Sequence, residues 1–105
     1  MTLAEDKYKQ LLKISNPDEA NKNAKKYYKN DIYISTRKNK KYMILNPKNN
    51  KWIHFGSFSP PMEDFLYHKN EERRRKYLKR AMNIKGDWKN NEYSPNMLSI
   101  IILWN

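Results

Sequence analysis

The chain has 105 residues and no cysteine, which excludes disulfides and thiolate metal centres and leaves material for one modest core. Apolar residues make up 38% of it, and 22 Lys+Arg against 11 Asp+Glu give a net charge of +11. That core is lean, and the charge favours an anionic partner: nucleic acid, an acidic protein surface or a lipid headgroup.

Part of the charge has a compositional reading. Lys (17), Asn (14), Ile (9) and Tyr (8) supply 48 residues, and Val is absent. The codons of these four are A/T-rich, so an A/T-rich genome raises the lysine content without selection for binding. The opening Met1–Asp6 has neither a basic n-region nor an apolar h-region, which predicts a chain that is not secreted. The longest apolar run, Ile100–Trp104, is far short of the roughly 20 residues of a membrane span.

Thr2 and Glu5 have the spacing of a capping box, and Ala4, Tyr8, Leu11 and Leu12 follow on one helical face, predicting a helix to about Ile14. Asn16-Pro17-Asp18-Glu19 is a second start signal, with Asn as N-cap and Pro at the first helical position. Ala20, Ala24, Tyr27 and Tyr28 repeat the stripe, so residues 1–31 are expected to form a helical hairpin. The period then changes. Ile32–Thr36, Tyr42–Leu45 and Lys51–Phe55 are short β-prone runs separated by turn chemistry, predicting a three-stranded antiparallel meander over 32–56 closed by Gly56. On the third strand Ile53 and Phe55 are the expected core pair, and Trp52 and His54 face the other way.

Residues 57–105 are expected to be largely helical. Met62–His68 carries a short turn, Asn70–Met82 a clear helix with Tyr77, Leu78 and Ala81 inward, and Lys85–Glu92 a polar loop. Ser94-Pro95 opens a last helix by cap logic, with a β-strand through Ile100–Ile102 as the competing reading. The whole is a single α+β domain.

Charge is spread unevenly. Residues 36–62 hold six basic groups and no acid, whereas residues 83–105 balance. Three surfaces could carry function. Arg73, Lys76 and Arg80, at i, i+3 and i+7, form a basic ridge suited to phosphates or carboxylates, joined by Arg37, Lys38, Lys40 and Lys41 from the sheet. A sheet face with Tyr42, Trp52 and His54 could stack bases. The C-terminal segment, through Leu98, Ile101, Leu103 and Trp104, either closes the chain's own core or docks on a partner. Catalysis has little to build on: His54 and His68 are the only histidines, no spacing suits a metal, and no Gly-rich loop cradles phosphate, so no cofactor is expected.

Lys40-Lys41-Tyr42-Met43, Ile53-His54-Phe55-Gly56, Asp64-Phe65 with His68, and Glu72-Arg73-Arg74 through Tyr77 and Arg80 form four blocks. Together with Trp88, Ser94-Pro95, Leu98-Ser99 and Leu103-Trp104 they resemble a family of small, basic, uncharacterised proteins of nucleocytoplasmic large DNA viruses, the giant viruses, over residues 36–104. Leu66, Asn70 and Ala81 depart from the family pattern. The resemblance implies a virion or viral-factory protein with other virion proteins as partners. The expected function is a non-enzymatic minor capsid or cement-like component that binds acidic protein surfaces; the alternative is sequence-independent DNA binding in genome packaging.

Overall fold

The computed structural model describes residues 3–105. Helix α1 (Leu3–Leu11) gives way to a turn ending at Ile14. The Thr2 cap and the side chain of Ala4 lie outside the described residues. Helix α2 (Pro17–Tyr28) starts as its sequence predicts, with the Asn16 side chain accepting from the Glu19 N–H at 3.2 Å. It ends at Lys29 in the left-handed conformation, whose N–H donates to the Lys25 carbonyl. Only part of each apolar stripe is used. Leu11, Ala20 and Ala24 are buried, whereas Tyr8, Leu12 and Tyr27 stay exposed.

Strands β1 (Ile32–Ile34), β2 (Lys40–Asn46) and β3 (Lys51–Ser57) form the antiparallel meander in the order β1-β2-β3. Strands β2 and β3 run further than their apolar patterns suggest, and Gly56 lies inside β3 rather than ending it. The register sets Tyr42 against Phe55 and Ile44 against Ile53, which aligns these side chains on one face. That face meets Leu11, Ala20, Ala24, Leu66, Leu98, Ile102 and Leu103 in one core. The opposite face carries Tyr33, Met43, Leu45, Trp52 and His54, and Tyr33 and Trp52 remain open to solvent. Tyr42 therefore belongs to the core and cannot share a stacking surface with Trp52 and His54, as its proximity in sequence suggested.

A short helix α3 (Phe65–His68) and the basic helix α4 (Glu71–Met82) follow, the latter capped by Asn70 accepting from the Arg73 N–H. A single 3-10 turn, Trp88–Asn90, interrupts the polar loop. Ser94 caps helix α5 (Pro95–Leu98), which continues as a π-helical turn over Ser99–Leu103. The competing strand through Ile100–Ile102 is not formed; the Trp104 N–H donates back to the Ser99 carbonyl at 3.1 Å.

Gly56 takes φ +82°, and a Cβ there would meet Leu103 Cδ1 at 3.0 Å and the Lys41 stem at 3.1 Å. Gly56→Ala is expected to cost about 1–3 kcal/mol, because neither neighbour can withdraw freely. Leu98→Ala, which empties a fully buried site, is expected to cost about 2–5 kcal/mol. Urea denaturation checks both.

A candidate site: a basic groove beside a buried ion pair

An open groove of about 750 Å³ runs along α4. One wall is α4, which presents Arg73, Lys76, Lys79 and Arg80 above Tyr77 and Ala81. The other wall comes from Ser57, Met62 and Glu63, and Leu103 and Trp104 complete it from the C-terminal segment. The i, i+3, i+7 ridge is thus one rim of a groove with an apolar floor. Within the floor Tyr77 lies parallel on Trp104, with ring centroids 4.0 Å apart and planes 9° apart. Arg74 Nε donates to the Trp104 carbonyl at 2.8 Å, tying the chain end to α4. Burial pushes the Tyr77 phenol above its ordinary range, so the floor carries no negative charge at neutral pH.

The rim cations are not equally available. Arg73 is bridged to Glu63 at 2.9 Å and Lys76 to Glu72 at 3.6 Å, both pairs solvent-exposed and weak. Lys79 and Arg80 make no ion pair among the described residues. Ile84 and Met62 are large apolar side chains left about half exposed at the groove.

The predicted cations separate in space. Arg37 and Lys38 sit exposed in the β1–β2 turn, and Lys40 pairs across the ladder with Ser57; none of the three lines the groove. Lys41 reaches the groove wall but is not a free surface cation. Its ammonium donates to the Met62 carbonyl and to Asp64 Oδ2 at 3.1 Å, with side-chain exposures of 2% and 1%. Its stem crosses the space that Gly56 leaves empty. Burial pushes the Asp64 carboxyl up and the Lys41 ammonium down, and each charge offsets part of the other's shift. The Asp64 N–H donates to the Ile14 carbonyl, and nearby Ser15 and Tyr42 share a 2.6 Å hydroxyl hydrogen bond. Asp64 and Gly56 were missed as site residues, although both stand in the matched sequence blocks with Lys41.

Of the apolar docking candidates, Leu98 and Leu103 are consumed by the chain's own core, and Ile101 is half-buried. Trp104, partly buried like Ile101, offers its surface at the groove. The two histidines have separate settings. His54 Nδ1 and the Ser35 hydroxyl are 2.6 Å apart. His68 Nδ1 accepts from the Asn70 N–H at 2.9 Å, so its neutral ring carries hydrogen on Nε2, and the ring packs edge-on to Trp104. Burial, then the positive charges around each ring, hold both below the ordinary value of 6.5. Among the described residues no group of acids and histidines is arranged to hold a metal ion. No helix there is long and apolar enough to cross a membrane.

Residues 30–81, just under half the chain, match a family of unknown function, DUF5754. The matched span contains the whole sheet, Lys41, Gly56, Asp64 and the α4 ridge. Neither a curated protein nor a solved structure gives a significant match.

Lys41→Met would leave a buried carboxylate without its cation, at an expected cost of about 3–5 kcal/mol, and adding Asp64→Leu should recover most of it. In the single variant the folded state holds the Asp64 proton more tightly than the unfolded chain does. Its deficit should therefore shrink as pH falls towards the carboxylate range, which a pH series of denaturation curves reads. His68 works in the opposite sense. Its depressed folded value means that the unfolded chain binds the proton better, so stability is lost as pH falls through 6.5. His68→Gln should lose less stability than the parent between about pH 7.5 and 5.5.

Proposed function

We propose that this chain is a non-enzymatic binding protein whose basic groove takes an acidic, partly apolar segment of a partner protein. The resemblance over residues 36–104 supports a reading in which the partner is another protein of a large DNA virus particle and this chain a minor capsid or cement-like component. The observation that carries the proposal is the pairing of a cationic rim with an apolar floor. Arg73, Lys76, Lys79 and Arg80 can meet carboxylates, while Tyr77, Ile84, Met62 and Trp104 can receive aliphatic or aromatic side chains. Duplex DNA presents mainly phosphates to a ridge and would leave Ile84 and Met62 without an apolar counterpart. An acidic amphipathic segment satisfies both parts.

Anisotropy of a labelled Glu/Leu-rich peptide tests this directly. Reversing Lys79 and Arg80 together to Glu should weaken binding by about tenfold or more, because the rim then repels the peptide. The same two-charge-site reversal at Arg37 and Lys38, outside the groove, should have a much smaller effect. Equal losses from the two variants, or tighter binding to duplex DNA than to the peptide, would replace groove recognition by general polyanion binding.

A further inference from the structure

The sheet has a second surface that the groove does not use. On the face away from the core, Tyr33 and Trp52 are 53% and 45% exposed. They meet edge to face, with ring centroids 5.7 Å apart and planes at 79°. Met43 lies opposite Tyr33 across one ladder and His54 across the other, while Leu45 lies opposite Trp52. Two large rings on a rigid ladder therefore stand on an apolar base with their surfaces in water.

The surroundings of this platform are cationic. Residues 36–62, which form its two hairpin turns and two of its three strands, contain no acid. The charges of Arg37, Lys7 and Lys40 are among the causes that hold His54 below its ordinary value, so this end of the face has a positive potential. At the other end Lys51 is exposed where β3 begins, at the edge of this face. A second copy of the chain would bring the same net-cationic span against itself and be repelled. A flat polyanion with unpaired aromatic faces suits both features: its bases stack on rings and its phosphates meet lysine and arginine.

We infer that the open sheet face is a binding platform for single-stranded nucleic acid, with Tyr33 and Trp52 stacking bases and Arg37 and Lys38 contacting the backbone. Duplex is disfavoured because its bases are already stacked on one another. Sequence preference is weak, since stacking uses the π-face that every base has.

The experiment measures anisotropy of a labelled oligo(dT) strand and of a duplex of equal length with the full chain, over a salt series. Trp52→Ala and Tyr33→Ala remove exposed rings, so their melting temperatures should stay near the parent's. Each should weaken single-strand binding by about tenfold or more, with little change in the salt slope, because the phosphate contacts persist. Trp52→Phe should restore most of the affinity. The Lys79/Arg80 reversal in the groove should change it by less than the ring removals do. Duplex binding as tight as single-strand binding would overturn the inference. So would wild-type affinity in both ring variants, or displacement of the oligonucleotide by polyglutamate as effective as by unlabelled oligo(dT).

Discussion

The Lys41–Asp64 pair is the contact on which the rest of the arrangement depends. It joins the middle strand to the segment that leads into α3, 23 residues further along the chain. Through the backbone of Asp64 it also reaches the corner between α1 and α2. Two charges taken out of water cost several kcal/mol each, and their attraction repays that only when geometry is good. The pair is therefore poor as a source of stability and effective as a selector of arrangement. A shift of one residue in the β2 register would send Lys41 to the wrong side and leave Asp64 stranded. Gly56 belongs to the same device, since the lysine stem and Leu103 occupy the room its missing side chain leaves.

With that connection in place, the excess charge divides into two separate fields. One lines the groove along α4, where Glu63 and Glu72 already neutralise part of it. The other surrounds the open sheet face, where the sequence supplies no acid over 36–62. Compositional drift towards lysine would scatter cations evenly. Here the acids lie in the helices and in the segments outside residues 36–62, and the three strands are left without them. Exposed cations in water can serve different partners on different faces, because salt screens each field over about 8–10 Å.

Much of the fold was legible in the sequence because its signals are local. Asn16 and Ser94 cap the helices they were expected to cap, since a cap depends on side-chain and backbone atoms three residues apart; Asn70, expected as the first residue of its helix, is the cap of α4. The meander followed from short β-prone runs and turn residues. What escaped depended on partners distant in sequence. Lys41 read as one cation among many because nothing adjacent reveals Asp64. Tyr42 was assigned to a stacking surface because alternation within one strand does not say which face a neighbouring strand shares with it; the register opposite Phe55 does. The ridge on α4 was visible from spacing alone, whereas the groove floor was not, because Tyr77 and Trp104 meet only in three dimensions.

The π-helical turn at Ser99–Leu103 carries a consequence for how relatives of this chain should be aligned. A π-helical turn holds about one residue more than an α-helical one, and one residue corresponds to roughly 100° of rotation on a regular helix. Here that surplus helps to bring Trp104 onto Tyr77 with its carbonyl towards Arg74. A relative lacking a single residue in this turn could keep every apolar letter around it and still aim its last tryptophan away from the groove. Single-residue gaps within Ser99–Leu103 therefore separate chains that keep the aromatic floor from chains that have exchanged it for another surface.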